Sequence, residues 1–105
     1  MIKIEDFKKK LREYSSKDIV VTGHADIRAL ARGIDLEEVK RNICNPEKLV
    51  YVEKQDSRKD NLKRYGCYFA YSENYCHKYV IVLNGKVIIV TIININRNWQ
   101  KVIGK

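Results

Sequence analysis

The stretch "YVIVLNGKVIIVTII", residues 79–93, decides the fold of this chain. Two runs of β-branched and aliphatic residues flank Asn84-Gly85, the dipeptide that best supplies the two positive-φ positions of a type I′ hairpin turn. A two-residue turn pairs Leu83 with Lys86, and that register assigns the faces. Val82, Val80 and Lys78 share one face with Val87, Ile89 and Thr91. Leu83, Ile81, Tyr79 and His77 share the other with Lys86, Ile88, Val90 and Ile92. Both faces are apolar near the turn, so the hairpin reads as central and covered, at least partly, by helices. At its far end Lys78 stands opposite Thr91. That pair either carries its charge out to water or lines a site.

Working back from the hairpin, "SEN" turns "KRYGCYFAY" into "YCHKYVIVL", "QDSRKDN" reads as a loop, and "KLVYVEK" is a further strand. The first half has a different period. Ile4, Phe7, Leu11 and Tyr14 recur at three and four residues, which predicts a helix over about 5–14. "SSKD" breaks it and "IVV" (19–21) is a short extended piece. Thr22 then caps a second helix whose buried stripe is Ile27, Leu30, Ala31 and Ile34. Gly33 ends that helix. Asp35 with Glu38 forms a capping box for a third, whose inner face is Leu36, Val39 and Ile43 and which Asn45-Pro46 stops. The expected architecture is α+β, a single domain over 1–105 with N-terminal helices on one face of a roughly four-stranded antiparallel sheet.

The +8 net charge is unevenly distributed. Residues 1–60 balance fourteen basic against twelve acidic side chains, whereas 61–105 hold seven basic residues and only Glu73. A basic C-terminal half points to an anionic partner, nucleic acid or an acidic protein segment, with solubility alone as the plain alternative. The longest nearly apolar run, "VIIVTII", is far short of the ~20 residues of a membrane helix. "MIKIEDFKKK" lacks the pattern of a signal peptide, so a cytoplasmic location and no membrane association are expected. Cys44, Cys67 and Cys76 are odd in number and match no zinc spacing, which predicts free thiols. Cys76 and His77 are adjacent on a strand and point to opposite faces, so no metal and no other cofactor is expected.

His24, Arg28 and Arg32 recur at intervals of four along one border of the second helix. On the predicted orientation His24 is the most buried of the three and Arg32 the most exposed. A neutral imidazole beside an arginine can take a proton from a hydroxyl while the guanidinium holds a phosphate. The stripe can equally be the wet edge of an ordinary amphipathic helix.

"GHADIRALARGI" followed by "DLEEVKRNICNPEKL" resembles a widespread family of small domains. The likeness rests on His24-Ala25, Arg28, Arg32-Gly33-Ile34, Asp35 with Glu37-Glu38-Val39, and Asn45-Pro46-Glu47. A final β-branched strand with a central Thr91 adds to it. That family is similar to a branch of the barnase/EndoU/colicin/RelE ribonuclease fold. The resemblance implies a metal-independent endoribonuclease, the toxin of a toxin–antitoxin pair with an acidic antitoxin as partner. Such an enzyme activates a ribose 2′-hydroxyl against the adjacent phosphate and leaves a 2′,3′-cyclic phosphate. On that reading the candidates are His24 as acid/base and Arg28 as phosphate ligand, with Arg32, Lys78 and Arg97 as outer cations. A non-catalytic module binding nucleic acid or an acidic partner is the alternative on the same scaffold.

Six of the seven tyrosines fall between residues 51 and 79, interleaved with Lys63, Arg64 and Lys78. Aromatics beside cations on a sheet can stack bases, and tyrosine is also a good strand residue. Tyr65 beside Arg64 is the candidate pair for RNA. Arg97, past the last strand, can reach a phosphate, and Trp99 reads as a lid on the core edge or an interface anchor.

Overall fold

The computed structural model describes residues 2–55 and 63–104. Helix α1 spans Ile4–Leu11, strand β1 Ile19–Val21, helix α2 Gly23–Ala31 and helix α3 Leu36–Cys44. Strands β2 (Leu49–Gln55), β3 (Arg64–Ser72), β4 (Tyr75–Leu83) and β5 (Val87–Ile95) follow, then a one-turn helix α4, Trp99–Val102. The class is α+β, as expected. The sheet, however, has five strands in the order β1-β5-β4-β3-β2, and it is mixed, not antiparallel throughout. β2 to β5 form an antiparallel meander, while β1 runs parallel to β5, pairing Ile19, Val20 and Val21 with Val87, Ile88 and Ile89. A three-residue segment carries no signal of its pairing partner, which is why "IVV" reads from sequence as an isolated extended piece. Most of the "QDSRKDN" segment lies outside the described residues.

The first helices pack on one face of the sheet, over a core of Phe7, Leu11, Ile19, Val39, Ile43, Phe69, Tyr79, Ile81, Val87, Ile89 and Ile92. α1 buries Phe7 and Leu11, and its charges suit its dipole, with Glu5 and Asp6 in the first turn and Lys8–Lys10 in the last. On the far face a smaller cluster of Tyr68, Cys76 and Ile95 packs with Trp99, Val102 and Ile103 of the C-terminal segment. The Trp99 indole N–H donates to the Ser72 carbonyl at 2.8 Å, fastening that segment to the β3–β4 turn. The lid reading of Trp99 fits this position.

The central hairpin departs from the predicted register by one residue. Leu83 pairs with Val87, not Lys86, and the loop is Asn84-Gly85-Lys86 with Gly85 at φ +72°. Val87 and Ile89 therefore face the helices beside Leu83 and Ile81. A bulge then intervenes: Ile81 pairs with Ile89 but Val80 with Thr91, leaving Val90 as the extra residue. The bulge restores the parity that the longer turn had shifted. Thr91 ends on the face of Lys78 after all, but opposite Val80, while Lys78 pairs with Ile93.

The second helix is rotated from its expected orientation. Ala25 and Ala29 are fully buried, whereas Ile27 is 68% and Leu30 84% exposed. Of the predicted stripe only Ile34, just past the helix, is in the core. The reason lies at the sheet edge. β1 stops at Val21, so β5 beyond Ile89 has backbone acceptors on its outer edge with no strand beside them. The Thr22 hydroxyl donates to the bulge carbonyl of Val90 (3.2 Å) while accepting from the Ala25 amide (3.1 Å). The Arg32 guanidinium donates to the Ile92 carbonyl at 3.1 Å. These ties draw α2 close to β5, and only small side chains fit between them. α2 closes in a Schellman motif: Ile34 N–H donates to Ala29 O (2.9 Å) and Gly33 N–H to Leu30 O (3.2 Å), with Gly33 at φ +66°.

Candidate functional site

Rotation of α2 inverts the burial expected of its basic stripe. His24 and Arg28 are exposed, and Arg32, predicted outermost, is the partly buried member, holding the edge of β5. The Arg28 Nε–H donates to His24 Nε2 at 3.4 Å, so the pair contact each other one turn apart. α2 belongs to the helix side of the sheet, and its buried alanines join the main core.

Lys78, Arg64 and Thr91 point to the opposite face. In the register, Arg64 pairs with Val82, Gly66 with Val80 and Tyr68 with Lys78, so all these residues share the face away from the helices. Tyr65 is on the helix side, its ring 5.0 Å from that of Phe7. Neighbouring strand positions thus separate Tyr65 from Arg64. Arg97 is exposed beyond β5, beside Asn98, Lys101 and Val102. The sequence-derived candidates are scattered: His24 with Arg28 on α2, Arg32 at the edge of β5, Tyr65 against Phe7 on the helix side, Lys78 with Arg64 and Thr91 on the far face, and Arg97 past the end of β5.

The far face adds residues that the sequence reading overlooked. Glu53 Oε1 is 3.0 Å from Lys78 Nζ and accepts from the Tyr68 hydroxyl at 3.2 Å. Lys78 Nζ also stands 5.2 Å from the Tyr68 ring centroid, and Tyr51 meets Tyr68 edge-on. Glu53 and Lys78 are two strands apart, with β3 between them. The bridge crosses over Gly66: a Cβ there would meet Glu53 Cγ, Glu53 Oε1 and Gln55 Nε2, each at 3.1 Å. Glycine leaves the lane along which the carboxylate reaches the lysine. The sequence signal was the period-two series Tyr51, Glu53, Gln55 in β2, facing the glycine of "RYGCY".

Burial opposes the charge on Lys78, but its hydrogen bonds to Glu53 and Tyr68, and their charges, outweigh that and raise its pKa above the usual lysine value. Burial raises the Tyr68 phenol as well, with Lys78 pulling partly the other way. Near neutral pH the cluster holds a fixed cation, a carboxylate that can accept a proton and a neutral hydroxyl that can donate one. Lys78 and Arg64 are separated by four residues along the strand direction, about 13 Å at ~3.3 Å per residue. They are too far apart to grip one phosphate and suitably spaced for different phosphates of a chain.

Beneath α3, on the helix side, runs a buried polar chain. The Asn42 amide donates to the hydroxyls of Tyr71 (2.8 Å) and Tyr79 (2.9 Å), and Tyr71 donates to Glu38 (2.5 Å). Glu38 is thus turned toward Tyr71, and Asp35 caps α3 by accepting from the Glu37 amide at 3.0 Å, without the reciprocal arm of a capping box. His77, 1% exposed, contacts the hydroxyl of Tyr79 through Nδ1 (2.8 Å) and of Tyr75 through Nε2 (3.0 Å). In the neutral imidazole one ring nitrogen donates and the other accepts, so His77 bridges the two hydroxyls. Protonating His77 makes both ring nitrogens donors, so the hydroxyl that had donated to the ring must turn its proton elsewhere. Cys76, next door, faces the other cluster, its thiol raised to about 11 by burial, so the two side chains do point apart.

Burial lowers the pKa of His77, with Glu38 opposing. The sign follows from linkage. The unfolded chain takes up a proton near 6.5, the folded one only further down. This contribution is fully present above about 6.5 and is lost as pH falls toward the folded value. The expected slope on that limb is at most ~1.4 kcal/mol per pH unit for one proton. Urea titrations between pH 7 and 5 check it, and in His77→Phe the histidine part of the slope disappears.

Among the described residues, no three His, Cys, Asp or Glu side chains gather as a metal-ligand group, and no helix is long and apolar enough to cross a membrane. Comparison of the chain with protein-family models, with curated proteins and with solved structures finds no match in any of the three.

Proposed function

We propose that this is an RNA-acting domain that holds its substrate on the sheet face away from the helices and cleaves it without a metal. The observation that carries this reading is the Glu53–Lys78–Tyr68 cluster, in which a fixed cation at 3.0 Å and a hydroxyl donor at 3.2 Å meet on one oxygen of a proton acceptor. Cleavage by 2′-hydroxyl attack needs those three groups: a base for the hydroxyl, a donor to the leaving 5′-oxygen and positive charge on the phosphorane. Arg64, on the same face, and Arg97, past the end of β5, supply further positive charge for neighbouring phosphates. In this reading Glu53 takes the acid–base role that the resemblance gives to His24. The resemblance of the helical half supports placing the chain among RelE-like toxins of toxin–antitoxin pairs. The non-catalytic alternative is favoured by one observation: Glu53 is already engaged by both Lys78 and Tyr68, the arrangement of a structural ion pair.

Incubation of the protein with RNA and EDTA, with analysis of product ends, tests the proposal. Expected are fragments ending in 2′,3′-cyclic phosphate, retained in His24→Ala and lost in Glu53→Gln. Salt-sensitive RNA binding with no cleavage at any ionic strength selects the non-catalytic module. Absence of both overturns the RNA reading.

A further inference from the structure

The three groups of the Glu53 cluster are unequally open to solvent. The Glu53 side chain is 35% exposed and that of Lys78 18%, but Tyr68 keeps only 3%. Tyr68 belongs to the apolar cluster with Cys76 and Ile95, and Trp99, Val102 and Ile103 of the C-terminal segment pack against that cluster. The fastening of this segment is slight. α4 is a single turn, and Trp99, Val102 and Ile103 are themselves only half-buried. The Trp99 indole N–H donates to the Ser72 carbonyl at 2.8 Å and its amide N–H to the Glu73 carbonyl at 3.4 Å. Ser72 and Glu73 are both exposed, so water can replace either bond at little cost. A segment with few buried apolar contacts and exposed hydrogen bonds opens locally at low free energy.

We propose that the segment from Asn96 to Gly104 is an autoinhibitory strap, which must lift before RNA can reach the Glu53 cluster. The inference rests on the function proposed above and concerns the regulation of that site. Donation to the leaving 5′-oxygen brings that atom within about 2.6–3.2 Å of the Tyr68 hydroxyl. A tyrosine 3% exposed leaves no room for a sugar–phosphate chain at such a distance. Something must move. β3, β4 and β5 are paired with one another along the meander and do not part. The strap continues from β5 at Asn96 and can swing out as a unit. RNA drives the swing because it reaches Tyr68 only in the open form, and a ligand shifts an equilibrium toward the state it binds better. Arg97 and Lys101, both exposed on the strap, travel with it and can follow the phosphates.

Trp99 is the single tryptophan of the chain, so its emission reports on the strap. The full chain is titrated with a single-stranded 2′-O-methyl oligonucleotide, which has no free hydroxyl to attack and stays intact. Emission is expected to move to longer wavelength and to saturate together with binding followed by gel shift. Trp99→Phe keeps an aromatic ring but loses the indole N–H. Its single-turnover cleavage of RNA should be about two- to tenfold faster than that of the parent chain, the weight of one hydrogen bond lost from the closed form. Ile103→Ser loosens the same contact from the other end of α4 and should act in the same direction. A purely structural role for the segment predicts slower cleavage in both variants. Bound oligonucleotide with unshifted Trp99 emission overturns the strap, a result that needs no variant to fold. So does RNA cleavage that neither variant accelerates. Absence of both binding and cleavage in the parent chain and in both variants overturns the function proposed above, and the strap with it.

Discussion

Asn42→Ala should lower the unfolding free energy by about 2–3 kcal/mol, read as a fall in the urea midpoint with an unchanged slope. Asn42 is 7% exposed and spends both amide hydrogens on tyrosine hydroxyls, one of them on the fully buried Tyr79. Alanine removes both bonds at once and leaves the Tyr79 oxygen short of a donor in a place water does not reach. The loss is therefore that of two hydrogen bonds plus the desolvation of a group left behind. A cycle with Tyr79→Phe separates these parts. Because the two residues share a bond, the double variant should lose less than the sum of the singles by about 1 kcal/mol. A loss under 1 kcal/mol in Asn42→Ala, or strict additivity, would mean that the chain beneath α3 contributes nothing as a unit.

Glu53→Gln should move binding and turnover in opposite directions. Glu53 neutralises Lys78, so its carboxylate competes with any phosphate for that cation. Removing its charge strengthens RNA affinity several-fold. If Glu53 accepts the 2′-hydroxyl proton, the same change lowers the cleavage rate by about 10²–10⁴. Lys78→Ala should weaken binding about tenfold and reduce the salt slope by about one ion, since one phosphate contact is lost. Gel shift and single-turnover cleavage on the same samples check both. A Glu53→Gln protein with weaker binding and unaltered cleavage would make the cluster a strand-to-strand brace and nothing more.

The fold class was legible because its signals are local. Thr22, Gly33 and Asp35 work at helix ends, where one side chain or one left-handed residue decides the outcome. The β3–β4 turn and the period of β4 are similarly short-range, and alternation along β4 correctly set His77 against Cys76. The failures have two sources, a loop and bulge within the hairpin and bonds between residues distant in sequence. A single added loop residue moved the hairpin register, and the bulge at Val90 moved it back, so the face of Thr91 came out right through two offsetting shifts. Hydrophobicity placed Ile27 and Leu30 inside. The bonds from Thr22 and Arg32 to β5, which leave room only for alanines, span 68 and 60 residues and have no sequence signature. The candidate site was half visible. Lys78 and Arg64 stand out as cations on strands, but Glu53 becomes significant only once Gly66 is known to lie between it and Lys78.

The outer margin of β5 also bears on how the chain reaches its native state. "VIIVTII" is uncharged, largely β-branched and free of proline, the composition that associates with its own kind when its backbone is unpaired. Its guard, β1 with Thr22 and Arg32, comes from the opposite end of the sequence. During synthesis the guard leaves the ribosome well before the strand it protects, so the newly made edge can be occupied on emergence. A circular permutant that delivers β1 and α2 last would leave that edge bare through the slow closure of a long loop, and aggregation would then compete with folding.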